Sequence, residues 1–542
     1  MQLIQNREII QMALAAVFLL ISGIMLFEKL GNYSLWDDET MVTLAARGII
    51  ETGDTTAVHG KNVVAFREGF VLRGLADRST PPLSSYVAAA SLGLLGPSPF
   101  AARIPFALMG FCLMVLAVFV LLRAKLSTPA LTVCFIAILG NTSLMLFLRQ
   151  CRYYAPAILI STILVLLYIQ WKKDRVQLAV ISILFVLLFA ANYMSCAVLM
   201  ICMAADYLLV KRKSVSLRLI EICMCGLIVI PPCLLISMVW NPFGTKFGNY
   251  AQANDLMDRL VLFLWNLRDM NRAEYFVGGL LLASIPIALI KKDPWIIRGV
   301  FFILLYTLAI SFVSPQIVKQ ASVADIRYLA PLIPVGIAVG VRTLLLLFAN
   351  HQGLAVALAI PVFLTNTLNG GGFTNQGVRS VPLEFCGELL SPPEEPYTPV
   401  VQWINQNVPK DSSIWVLPDY MTYPLMFHAP DAVYAWQLRP DQKKEEQFKS
   451  LPDIHFQGLV TPDYIIVFGP SVIQIRALIQ KWKAMGVQYD EIYGINTFWK
   501  DLYRPELFWR TFKPITGFDP ETQAIYIFKH LSSSGDLQKK HP

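Results

Sequence analysis

Apolar runs long enough to cross a bilayer recur along this chain, and no other feature restricts its fold so far. A hydrocarbon core ~30 Å thick needs ~20 helical residues at ~1.5 Å each. Inside it the backbone must satisfy its own hydrogen bonds, so each run has to be helical. The runs fall near 9–28, 82–96, 100–122, 129–148, 154–171, 176–192, 195–210, 219–239, 276–290, 297–314, 328–347 and 352–368. With 55% hydrophobic and 15% charged residues in 542, the chain reads as a polytopic α-helical membrane protein. The first run follows Arg7, is long, lacks a small-residue cleavage site and precedes many others, so it reads as a retained helix rather than a signal peptide.

The formal charge of +8 resides in short Lys/Arg clusters between apolar segments, which reports topology and excludes nucleic acid as the implied partner. The run at 82–96 sits between "STPPL" and "GPSP" and decides the orientation of all that follows. If it lies along the surface, Arg123/Lys125, Lys172/Lys173/Arg175, Lys211/Arg212/Lys213/Arg218, Lys291/Lys292/Arg298 and Arg342 all face the cytoplasm; if it spans, they all face out. The positive-inside rule therefore favours about eleven spanning helices, with the N-terminus inside and the C-terminus outside. Residues 29–99, the loop 240–275 and everything beyond about 370 are then extracytoplasmic.

Beyond residue 370, "NGGGFTNQG" and "SPPEEPYTP" read as a linker. "PVVQWINQNV" then reads as an amphipathic helix, and "SIWVLP", "YIIVFG" and "QAIYIF" as strands. The expected organisation is a transmembrane domain over 1–370, with its first outer loop at 29–99, and a soluble α/β domain over 375–542. Of nine cysteines, only Cys151 and Cys386 are expected near water, and no disulfide framework emerges.

Asp37, Asp38 and Glu39 stand in a row where the first span emerges. Helix capping accounts for one of them, because an acid in a first turn satisfies amide donors and suits the helix dipole. It does not account for their place at the start of a long outer loop. There, an acid could deprotonate an acceptor that meets a lipid-borne substrate. "FLRQCRYYAP" and "ADIRYLAPLIP" put the pairs Arg152–Tyr153 and Arg327–Tyr328 at outer helix ends. Interfacial anchoring accounts for one such pair, since Arg snorkels and Tyr belongs to the aromatic belt. Two pairs on the face that bears the carboxylates, with Arg149, Arg103 and Arg78, describe a basic ring around a phosphate.

The six histidines are scattered, and the acid-x-acid spacing of "DDE" has no supporting ligands, so no metal or other cofactor is expected. "CMC" at 223–225 lies in a span as packing, and no Walker loop or dinucleotide fingerprint occurs.

Taken in order, "LWDDETMVTLAARGIIETGD", "STPPLSSYVAAASLGLLGPSPFAARIPFAL", "RQCRYY" and "RYLAPLIP" resemble the membrane glycosyltransferases of the GT-C superfamily. The branch they resemble contains the protein O-mannosyltransferases (glycosyltransferase family 39) and the aminoarabinose transferase of lipid A, and the resemblance covers roughly residues 1–370. It implies a sugar on a polyprenyl phosphate as donor, a lipid, glycan or protein acceptor outside the cytoplasm, and transfer by inverting direct displacement in the inner (plasma) membrane. Asp38, followed by Glu39, matches the catalytic Asp-Glu pair, and Arg152 and Arg327 would stabilise the departing phosphate. A lipid carrier also suits a site outside the cytoplasm, where nucleotide sugars are absent. Relatives place Lys or His just before the proline pair; here that position is Thr80, with Arg78 as the nearby substitute. The oligosaccharyltransferase signature Trp-Trp-Asp-Tyr-Gly is absent.

The competing reading is a transporter or flippase of a polar or polyprenyl-linked lipid. It would hold its ionisable groups near the bilayer midplane, whereas these gather at the outer boundary.

Overall fold

A computed structural model describes residues 2–66, 68–78, 80–240, 254–273, 276–369, 377–392, 395–498 and 519–531. Most of the linker "NGGGFTNQG", Pro393 and Glu394 of "SPPEEPYTP", and much of the outer loop 240–275 lie outside the described residues.

The helices are α1 (Gln2–Phe27), α2 (Asp37–Thr52), α3 (Pro82–Leu95), α4 (Pro99–Arg123), α5 (Thr128–Leu139), α6 (Thr142–Leu148), α7 (Tyr154–Gln170), α8 (Arg175–Ala191), α9 (Tyr193–Leu209), α10 (Leu219–Trp240), α11 (Leu256–Arg272), α12 (Gly278–Lys291), α13 (Pro294–Val313), α14 (Ile333–Leu347) and α15 (Gln352–Leu364). The chain is a polytopic membrane protein. Among the described residues, five helical segments are long and apolar enough to span: Asn6–Phe27, Pro99–Arg123, Leu219–Trp240, Pro294–Val313 and Ile326–Leu347. The pair α5–α6, bent by 61°, makes a sixth. Counting α7, α8, α9, α12 and α15, which are apolar but shorter, brings the number to the eleven expected. The remaining apolar helix, α3, packs along α2 and α4 with one face buried.

The break between α5 and α6 has a local cause. A Cβ on Gly140 would stand 2.4 Å from the Phe363 carbonyl oxygen, and Asn141 caps α6 by accepting the Leu144 amide at 2.8 Å. The redirected α6 ends at Leu148 with Arg149 as its C-cap, so the bend sets the direction in which "RQCRYY" leaves the bundle.

The segment between α2 and α3 carries two short hairpins, β1 (Val58–His59) with β2 (Asn62–Val63) and β3 (Leu72–Arg73) with β4 (Ala76–Asp77). After the linker come α16 (Val381–Leu390), whose Phe385 and Leu389 join the main apolar core, and α17 (Tyr397–Asn407). The domain is built on a five-stranded mixed sheet in the order β6-β5-β7-β9-β8. Its members are β5 (Ser413–Leu417), β6 (Val433–Tyr434), β7 (Tyr464–Phe468), β8 (Tyr489–Ile495) and β9 (Ile525–His530). β5 runs parallel to β6 and β7; β9 is antiparallel to β7 and β8. Side chains alternate between two layers. Ile414, Val416, Ile466 and Ile527 join the core shared with the helical bundle, while Ile465, Val467 and Phe528 pack under α19 (Ser471–Ala484), which follows α18 (Thr422–His428).

The domain and the segment between α2 and α3 are joined by directional bonds. Asn62 donates to the carbonyls of Pro430 (3.3 Å) and Ala432 (2.9 Å) and accepts the Tyr434 amide (2.8 Å). His455 sits between the carbonyls of Lys61 and Tyr434 (3.0 and 3.1 Å), and His428 Nε2 accepts the Leu35 amide at 3.2 Å. Arg47 donates to the Phe427 carbonyl at 3.3 Å. Cys151 is fully buried rather than near water, because α6 folds it beneath α2, while Cys386 is exposed as expected.

Candidate active site

α2 begins at Asp37, so all three acids occupy its first turn, and Asp37 Oδ1 accepts the Asp38 amide at 2.8 Å. Consecutive helical residues point ~100° apart, so adjacent carboxylates meet different surroundings.

Glu39 turns inward and is fully buried. Arg103 grips it with two bonds, Nε to Oε1 at 2.9 Å and Nη2 to Oε2 at 2.6 Å, and the Cys151 amide donates to Oε1 at 2.8 Å. The same guanidinium donates to the carbonyls of Leu30 (3.2 Å), Tyr33 (2.8 Å) and Ser34 (3.0 Å). Arg103 thus ties α2, α4 and the end of α1 together and keeps no donor for a phosphate. The chamber beside this pair, lined also by Trp36, Gln150 and Phe385, has about 50 Å³. That is room for water and far below the ~300 Å³ or more of ordinary ligand sites. Arg149 is turned the same way, donating to the carbonyls of Met25 (2.6 Å) and Glu28 (2.7 Å) at the end of α1. Glu39, Arg103 and Arg149 thus brace the end of α1 from within the bundle and do not join the cluster around Asp38.

Asp38 turns outward with its side chain 24% exposed. Arg152 reaches its Oδ2 at 2.9 Å and its backbone carbonyl at 3.0 Å, and Arg327 Nη1 contacts the same Oδ2. The two arginines arrive from points 175 residues apart in sequence, one between α6 and α7 and the other at the head of the segment Ile326–Leu347. Asp325, which is not among the candidates from sequence, holds Arg327 Nε at 2.7 Å. Its signal was an acid two residues before the Arg in "ADIRY".

The loop carrying Asp325 is itself anchored. Asp269, fully buried on α11, accepts the Ala324 amide at 2.8 Å, and Gln316 accepts the Asp325 amide at 2.8 Å. The rings of Tyr153 and Tyr328 lie nearly parallel with centroids 6.3 Å apart. Arg152 lies 5.3 Å from the Tyr153 ring and Arg327 lies 5.7 Å from that of Tyr328. The buried Tyr153 hydroxyl has no hydrogen-bond partner among the described residues.

Arg78 stands apart. It pairs with Asp54, just past the Gly53 that ends α2, and so lies at the opposite end of that helix, roughly 20 Å from Asp38. Thr80 gains no basic substitute there. Among the described residues, no group of three or more His, Cys, Asp and Glu side chains is placed to hold a metal.

The arrangement thus offers one partly exposed carboxylate, two guanidiniums that share it, and a flanking tyrosine pair. No protein-family model and no curated protein matches the sequence. The structure is similar to the crystal structure of ArnT from Cupriavidus metallidurans bound to undecaprenyl phosphate, with a TM-score of 0.51 and 12% identity, covering 95% of this chain and 98% of that one. The archaeal oligosaccharyltransferase AglB from Archaeoglobus fulgidus, in complex with an inhibitory peptide and a dolichol-phosphate, gives a TM-score of 0.46 at 11% identity, covering 88% of this chain and 70% of that one. At such identities the first likeness is one of fold, which the chain shares over nearly its whole length.

Proposed function

We propose that the chain is an integral-membrane glycosyltransferase that moves a sugar from a polyprenyl-phosphate donor to an extracytoplasmic lipid, glycan or protein acceptor. The observation that carries this reading is the convergence of Arg152 and Arg327 on Asp38 at one end of the helical bundle. The fold shared with an ArnT structure that is bound to undecaprenyl phosphate supports it.

The polyprenyl phosphate of the donor is an anion for which two guanidiniums are suited partners. On its arrival, Arg152 and Arg327 exchange contact with Asp38 for contact with the phosphate, freeing Asp38 to act as base. The acceptor hydroxyl then loses its proton to Asp38 as its oxygen attacks the anomeric carbon. The bond from that carbon to the phosphate oxygen breaks on the opposite side, and its electron pair leaves with polyprenyl phosphate. The configuration inverts, and the charge gained by the leaving phosphate falls on the two arginines. Asp325 keeps Arg327 extended, and Asp38 returns its proton to water. The step takes no metal or other cofactor.

The basic clusters support the outer placement of the site. Lys172 and Lys173 follow the far end of α7, and Arg342 lies near the far end of α14, each across the bundle from the site arginine on the same segment.

The test is release of polyprenyl phosphate from candidate polyprenyl-phospho-sugars by the full chain in proteoliposomes supplied with membrane extract. Labelled sugar transferred to an extract component supports the reading. Donor that crosses the bilayer intact, with no transfer, would establish the transporter instead.

A further inference from the structure

The helix α7 and the segment Ile326–Leu347 both start at the Asp38 cluster and meet a second charged group at their other ends. Tyr168 is 16 residues beyond Arg152, and Arg342 is 15 beyond Arg327, which places them roughly 22 Å away along the helix axes. Between the helices at that level lies a cavity of about 490 Å³. An adjoining one of about 320 Å³ shares Thr162, Leu166, Pro334, Ala338 and Arg342 with it.

Apart from Ser161 and Thr162, the walls are apolar except at one end. There Asp206 accepts two bonds from Arg298, Nε to Oδ1 at 2.9 Å and Nη2 to Oδ2 at 2.7 Å, and one from the Tyr168 hydroxyl at 2.7 Å. Arg342 gives its Nε and Nη2 to Asp293 Oδ2 at 3.1 and 2.8 Å. Both arginines line the cavity, and Nη1 of each has no protein partner among the described residues. Trp295, half exposed, lies 5.8 Å from the Arg298 guanidinium, as an interfacial tryptophan does. Ion pairs whose only task is to face water need no hollow of this size behind them. Guanidiniums with unused donors at the mouth of an apolar cavity match an amphiphile with an anionic head.

We infer that this end of the bundle holds a glycerophospholipid of the adjoining leaflet, its phosphate between Arg298 and Arg342 and its acyl chains in the cavity. The site is separate from the Asp38 cluster and does not depend on the reaction proposed for it.

The experiment uses the full chain, delipidated in detergent and exposed to phosphatidylglycerol or to phosphatidylcholine of the same chains, with retained lipid counted by native mass spectrometry. Phosphatidylglycerol is expected to be retained about tenfold over phosphatidylcholine. Arg342→Gln, at a half-exposed position, is expected to remove most of that preference while melting as wild type does. The uncharged replacement Arg298→Gln with Asp206→Asn should do the same; if it fails to fold, Arg342→Gln decides. Arg327→Gln, at the other end, is expected to leave the preference intact. Equal retention of the two lipids would overturn the inference, as would loss with Arg327→Gln but not with Arg342→Gln. Displacement of phosphatidylglycerol by equimolar undecaprenyl phosphate would overturn the choice of occupant.

Discussion

At the scale of single residues, the account turns on two neighbours with opposite surroundings. Asp38 is partly open and shared by two arginines; Glu39 is sealed and gripped by one. Removing one partner of a buried ion pair leaves an uncompensated charge and costs about 3–5 kcal/mol. Arg103→Gln and Glu39→Gln should therefore each lower the melting temperature clearly, and the double substitution should be less damaging than the sum of the two. Thermal unfolding of the four proteins checks this; a wild-type melting curve for Arg103→Gln would refute the brace. The triplet and both Arg-Tyr pairs were legible in the sequence because chemistry concentrated there is visible without coordinates. Which carboxylate faces the opening was not, because adjacent helical positions diverge by ~100° and only the packing of α4 decides which is covered. Arg103 and Arg149 look like any outer arginine until the carbonyls at the end of α1 come into view.

Among elements, the break between α5 and α6 sets the height and direction of Arg149–Arg152. Gly140→Ala would force a methyl group against the Phe363 carbonyl, so α15 or α5 must shift. The expected outcome is a destabilised protein with transfer reduced more than donor binding, checked by measuring both on one preparation; unchanged transfer would show that the bend does not aim the site. The joint between the segment after α2 and the C-terminal domain has its own signature. Burial, with Arg103 and Arg47 nearby, lowers the His428 pKa to about 4, and burial lowers that of His455. Unfolded, both titrate near ~6.5. Their folded pKa values being the lower ones, the unfolded chain binds more protons across this window. The stability these two contribute is thus complete above ~6.5 and falls as pH drops below it, by on the order of 3 kcal/mol for His428 by the time its folded pKa of about 4 is passed. Proteolysis within residues 53–78 should rise over that range, and replacing both histidines should flatten it; pH-independent cleavage would contradict the joint. Strands β5, β7 and β9 were legible as apolar runs. β6, two residues long, and β8, exposed at five of its seven positions, have no such pattern.

Over the whole molecule, the apolar runs gave the right architecture, although the count of eleven rests on helices of 13 to 17 residues that composition alone leaves ambiguous. The C-terminal domain was legible as α/β, but its attachment was not. Asn62, His428 and His455 are single polar residues in short elements with no periodic pattern, and their bonds span 370 to 394 residues of sequence. The domain is therefore fixed to the loop that begins with the Asp37–Glu39 turn. In the function proposed, Asp38 is the base of a lipid-donor glycosyl transfer whose leaving phosphate is met by Arg152 and Arg327. The most direct measurement is polyprenyl phosphate release by the wild type and by Asp38→Asn, at equal folding and with donor binding measured in parallel. The account predicts a loss of about 10²–10⁴-fold in release, with the donor still bound. Release at the wild-type rate in the Asn variant would contradict it and reduce Asp38 to a partner of its two arginines.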